Sequence, residues 1–379
     1  MRLLVTSIVR QSEKDEQSGW LYGVDLDDTS VLKKYAHPES AYLPYNQNPR
    51  GGLRGSRGMA TSRNGLFIAN DTDIRVYTPS WDMELIMSHP SCSDIHDIRF
   101  EDNSLWVTST CNGLVFRFSR DGRLEDSLNY REFPALLRRI NQRLSRKEFL
   151  SQEGIRNGTL DFRDPRNYRI DVFDKIHLNS LCVLPDGDLM LLAGLCLPWR
   201  LAMLWHVKSW LKRWGLWESI VRMNQACIRA FNLQRQPNSQ LAVSLPSGMT
   251  AVIRMSNGAY HSVPLVLSDT TVPNHTLVPQ PDGSVLMADT NTGHLLRFDA
   301  HSGTILQRIF VADGFLRGLE RLSPTLVAVG CQNALYLVDL IQEQVVETIQ
   351  LDEDERVAVF DVQVIPEHFD PFPETWPTD

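Results

Sequence analysis

The chain has 379 residues, 42% of them hydrophobic and 22% charged, an ordinary composition for a globular protein with a large core. Its formal net charge of −8 excludes a surface given over to nucleic acid, which needs a broad excess of Lys and Arg. The six cysteines form no C-x-x-C pair and no zinc-like spacing, so they read as reduced, small hydrophobes.

The opening MRLLVTSIVRQSEKDEQ holds an apolar run too short for a secretory leader and reads as a strand, which sets the expectation of a cytoplasmic protein. RLLVTSIV, SGWLYGVDL and SVLKKYA predict three strands in succession. The basic glycine run RGGLRGSRG, Arg50 to Gly58, reads either as an anion-binding nest or as a loop between repeats. Two units then follow that superimpose almost without gaps: RGMATSRNGLFIANDTDIRVYT from Arg57 and IHDIRFEDNSLWVTSTCNGLVFRFS from Ile95. Two more, NHTLVPQPDGSVLMADTNTGHLLRFD from Asn274 and LRGLERLSPTLVAVGCQNALYLVD from Leu316, have the same pattern. A fifth opens at HLNSLCVLPDGDLMLLAG, is split by an insertion, and resumes at AVIRMSNGAYHSVPLV. AVFDVQVI, from Ala358, supplies the inner strand that the three N-terminal strands lack. The prediction is all-β: a single six-bladed β-propeller over 1–379, closed by its N- and C-terminal strands. It carries helical insertions at 131–175 and 197–235 and an acidic, Pro-containing tail at 367–379. A β-sandwich with irregular loops is the competing architecture.

The repeats resemble six-bladed propellers of the NHL-repeat and gluconolactonase-like kind. IHDIRF…LWVTST and IHLNSL are similar to a bacterial propeller family whose blades open on His-Asp-Ile and His-Leu-Asn. The resemblance covers about residues 50–340 and implies the propeller fold. Gluconolactonases hold a divalent ion with carboxylate and amide ligands, whereas this chain sets His and Arg at most of the comparable places.

In a propeller the first strand of each blade lines the axis. The blade openings are Arg57, His96 with Asp97, His177 with Asn179, His275 with Asn274, Arg317, and Asp361. Imidazoles converging from His96, His177 and His275 suit a divalent metal such as Fe, Zn or Mn, with Asp361 as fourth ligand or base. Arg57 and Arg317 then orient a carboxylate or phosphate, and Asp97, Asn179 and Asn274 contribute to a ligand site. The bland alternative is that each histidine caps backbone or holds channel water. No P-loop and no G-x-S-x-G elbow is present.

The first insertion contains FPALLRRINQRLSRKEFL, expected to be a solvated helix over one propeller face. The second holds Trp199, Trp205, Trp210, Trp214 and Trp217, with seven Lys or Arg against Glu218 alone. Such a stripe packs on its own domain, acts as a lid, or meets a partner or membrane surface. Two functions are therefore expected to compete. One is an axial site for a small anionic or apolar ligand, worked on by a metal-dependent enzyme. The other is a non-catalytic scaffold that binds a protein partner or membrane through 197–235.

Overall fold

Two of the hairpins close on turns that their sequences demand. Gly187 and Gly283, after Asp186 and Asp282, take φ of 85° and 80°, a conformation that side chains resist. The structure, a computed structural model, describes residues 1–13, 16–38, 40–41, 55–139, 143, 154–155, 159–164, 166–167, 173–196, 210–211, 214–216, 219, 222–223, 249–256, 259–260, 265–266 and 273–377.

Five antiparallel sheets run in chain order along their main path, one of them with an extra strand, Leu265–Val266, paired to Met249–Ser256. The first comprises Met59–Ser62, Gly65–Ala69, Ile74–Tyr77 and Met83–Met87. The second comprises Ile95–Glu101, Ser104–Ser109, Leu114–Ser119 and Leu124–Asn129. Leu178–Val183 pairs with Leu189–Cys196, which in turn pairs with Met249–Ser256, so the split blade is rejoined across its insertion. His275–Pro279 and Leu316–Arg321 open the last two of these sheets. The sixth sheet has the order Val357–Ile365, Arg2–Val9, Trp20–Asp25, Ser30–Ala36, so the two termini share one blade. The six inner strands pack side by side in a closed ring.

Between neighbouring blades lie six apolar layers, one per seam. Burial of such side chains is worth about 1.5–3 kcal/mol each, and it closes the ring. Phe67 and Ile95 fill one seam, Leu181 and Ile253 another, Met287 and Val252 a third.

Both insertions are only partly described. Of the expected helix, Pro134–Arg139 is seen and the stretch after it lies largely outside the described residues. The 131–175 segment is anchored as well as solvated: Phe162 and Phe173 join the seam between the Met59 and Ile95 blades, and Arg131 binds the carbonyls of Asn112 and Phe173. Trp199, Trp205 and Trp217 lie outside the described residues, while Trp210 and Trp214 are exposed, their rings 6.0 Å apart. Among the described residues no helix is long and apolar enough to cross a membrane. The five described cysteines are buried, and no disulfide is seen among the described residues.

Candidate functional site

The axial residues are aimed by a repeated irregularity. In five of the six blades the pairing of the inner strand slips at the axial position, between Ile95 and Ile98, Leu178 and Ser180, His275 and Leu277, Arg317 and Leu319, and opposite Thr6 and Ser7. A β-bulge leaves one residue unpaired and re-aims its neighbours. Here it divides the blade openings into two sets, one facing the mouth of the channel and one locked in the seams.

The seam set is a chain of bonds from blade to blade. Asp361 accepts the Met59 N–H at 2.8 Å, and its own N–H donates to Thr6 Oγ1. Asp97 accepts from the Ser180 hydroxyl and the Leu181 N–H. Leu277 N–H donates to Ser180 Oγ, and Gly318 N–H donates to Thr276 Oγ1. Asn179 donates to the Asn274 carbonyl at 2.6 Å, and Asn274 to Thr250 Oγ1 at 2.8 Å. Gly58 and Gly318 are small because the Asp97 and Asp361 backbones press against them. Asp361, Asp97, Asn179 and Asn274, expected as base or ligand contacts, are thus placed as inter-blade ties. Beneath the mouth Asp97 and Asp361 adjoin Arg99, with Glu320 close by, and burial raises Asp361 and Glu320 to about 7 each.

The mouth set comprises Arg57, His96, His177, His275 and Arg317, which the structure does bring together. The His96 ring lies 5.2 Å from that of His177 and 6.4 Å from that of His275. Phe360, which supplants Asp361 as the mouth residue of the shared blade, lies against His96, Arg57 and Arg317. Phe315 packs against His275 and beneath Arg10.

Each imidazole is held by Nδ1. His96 Nδ1 is 2.9 Å from the Asp94 carbonyl oxygen and 3.0 Å from Thr110 Oγ1. A carbonyl only accepts, so Nδ1 carries the proton and Nε2 a lone pair. The Thr110 hydroxyl spends its own proton on the Leu178 carbonyl at 2.6 Å, consistent with this tautomer. His275 Nδ1 bonds Thr290 Oγ1 at 2.7 Å. His177 Nδ1 bonds Asp174 at 2.6 Å, and its φ of 44° is uncommon for a residue with a side chain. Burial, above all, holds His96 and His275 well below the usual imidazole range. For His177 burial is opposed by the Asp174 carboxylate, and the net shift is upward. All three Nε2 atoms lack a hydrogen-bond partner among the described residues, yet none is sealed off as His37 Nε2 is.

The two arginines differ. Arg57 donates to Asp94 at 2.6 Å, to the Ile95 carbonyl at 3.0 Å and to Asp71 at 2.5 Å, so its charge is met twice over. Arg317 is 7% exposed and stacks on Phe360 with Cζ 3.3 Å from the ring centre. It has no acidic partner among the described residues, and its Nη2 is buried without a hydrogen bond. Burial, then the like charge of Arg57, pushes its pKa well down.

Among the described residues no three His, Cys, Asp or Glu are placed to hold a metal ion, and Asp361 is turned into a seam. The expectations missed Phe360, Phe315, Asp94, Asp174, Thr110 and Thr290. A signal existed for the last four: an acid two or three residues before the histidine, and a threonine closing the paired strand.

No family model matches the chain, and no curated protein does. Among solved structures, a protein of unknown function from Bacteroides caccae is similar, with a TM-score of 0.52 at 8% identity, covering 95% of this chain and 97% of that one. At that identity the likeness speaks for the fold alone. What is shared is the six-bladed propeller; kinship to the NHL-repeat or gluconolactonase-like propellers is not shown.

Proposed function

We propose that the mouth of the propeller axis binds a small anionic ligand. The observation that carries this is Arg317, a buried guanidinium stacked on Phe360 that makes no ion pair among the described residues. A buried cation left unpaired costs several kcal/mol, and folds retain such groups where a ligand supplies the missing charge. The neutral imidazoles of His96 and His275, with Phe360 and Phe315 beside them, add a few hydrogen-bonding atoms and apolar surface to the cations of the mouth, the usual make-up of a small-molecule site. We assign neither a metal nor a reaction to the mouth.

The test is calorimetric titration of the whole chain with formate, acetate, sulfate and inorganic phosphate at fixed ionic strength, against Arg317→Met. Saturable binding of at least one anion to the native chain, abolished by the substitution, supports the proposal. No binding, or equal binding to both proteins, overturns it. A scaffold role for 197–235 draws support from the exposure of Trp210, Trp214, Leu216 and Met223. Its check is co-sedimentation with anionic vesicles, which Trp210→Ala with Trp214→Ala should abolish.

A further inference from the structure

We infer that the ligand of the axial mouth is a small monocarboxylate with a hydroxyl on the adjoining carbon, in simplest form a 2-hydroxy acid. This rests on the anion-binding reading above and narrows it by three observations.

The first is the count of committed charges. Arg57 is shared by Asp71 and Asp94, and His177 is tied to Asp174, so three carboxylates already stand around the mouth. Arg317 is the guanidinium left with no acidic partner among the described residues. A phosphate group, doubly charged near neutrality, would meet this one open cation and the carboxylates beyond it. A carboxylate brings one charge and two oxygens, which a single guanidinium matches bidentately.

The second is the tautomer of His96. Its Nδ1 proton points at the Asp94 carbonyl and Thr110, so Nε2 offers a bare lone pair. A second anionic oxygen would be repelled there; an O–H would be bound. Guanidinium and imidazole both lie against Phe360, which sets them side by side. An ammonium would also donate, but it would set a second cation beside Arg317, whereas a hydroxyl adds no charge.

The third is the lining. Phe360 and Phe315 offer ring faces to the carbon skeleton, while the hydrogen-bonding atoms are few and fixed.

The experiment is calorimetry on the full chain with four probes: glycolate, acetate, glycolamide and inorganic phosphate. Glycolate should bind about three- to tenfold more tightly than acetate, the worth of one hydrogen bond. Glycolamide and phosphate should bind at least about tenfold more weakly than glycolate. His96→Asn keeps an amide near Nδ1 and removes Nε2, so it should erase the advantage of glycolate while sparing acetate. Nitrogen-15 imidazole spectra should show His96 protonated at Nδ1, with Nε2 shifting on glycolate addition. Equal affinities for glycolate and acetate, or His96 protonated at Nε2, would sink the hydroxyl assignment. Phosphate binding best would sink the carboxylate assignment and leave the anion site standing. If none of the charged probes binds, or if Arg317→Met binds them unchanged, the anion site itself falls.

Discussion

At the scale of single residues, the mouth separates two arginines that look alike in sequence. Arg57 lies between two carboxylates and Arg317 lies on a ring face with none. Removing the first should therefore harm folding and removing the second should help it. Without ligand, Arg317→Met should raise Tm by about 2 °C, because a buried charge that makes no ion pair among the described residues is exchanged for apolar contact with Phe360. A scanning-calorimetry Tm that falls would mean Arg317 has a structural partner. Below the mouth, Glu320 and Asp361 are held to about 7, burial being the chief cause, with Arg99 countering it and Asp97 adding repulsion on Asp361. An acid with a raised folded pKa keeps its proton in the native state while the unfolded chain releases it. Stability should thus fall as pH rises from about 4.5 to about 7 and level off above. Denaturation midpoints across that range, flattened by Glu320→Gln with Asp361→Asn, check the sign. Gln363 Nε2 and Val364 N–H also face Glu320 and remain in the variant.

At the scale of elements, the inner strand is the unit that matters. Its first strand-and-turn pattern was legible, since alternation and Asp-Gly turns are local. Its bulge was not, because slippage shows only when a partner strand is counted against it. One residue of slip exchanges the two faces of a strand, which is why Phe360 reaches the mouth where Asp361 was expected. Gly318 marks the corresponding bulge of the Leu316–Arg321 strand at φ 73°, and an added Cβ would lie 3.0 Å from Asp361 Cα. Gly318→Ala should cost about 2 kcal/mol or more, read from chemical denaturation, because strain and backbone contact add. A neutral result would show that the seam can open there without loss.

At the scale of the whole molecule, the ring is closed twice. Val357–Ile365 completes the blade shared by the two termini, and the tail after it then crosses to the Met59 blade. Phe369, Phe372 and Trp376 join Trp81, Tyr77 and Tyr35 in one aromatic cluster. Trp81 Nε1 donates to the Asp370 carbonyl, Tyr35 to that of Pro373, and Arg2 to those of Phe369 and Asp370. Deleting 366–379 should cost about 5 kcal/mol, three buried aromatics at the usual worth. A truncated chain with unchanged denaturation midpoint would reduce the tail to a bystander.

The amino-acid sequence by itself determined the number of blades, the strand spacing, the shared terminal blade and the presence of His and Arg at the axis. All of these follow from period-two alternation and turn chemistry, which act between residues close in the chain. Only the tertiary structure decided which axial groups face the mouth and which tie the seams. It also decided that Arg57 is paired while Arg317 is not, and that the acidic tail is an aromatic strap. Those outcomes depend on strand register and on contacts between blades up to 368 residues apart in the chain, as for Arg2 and Asp370. Charge and burial at such a point are set by what the closed ring brings beside it, and no local pattern records that.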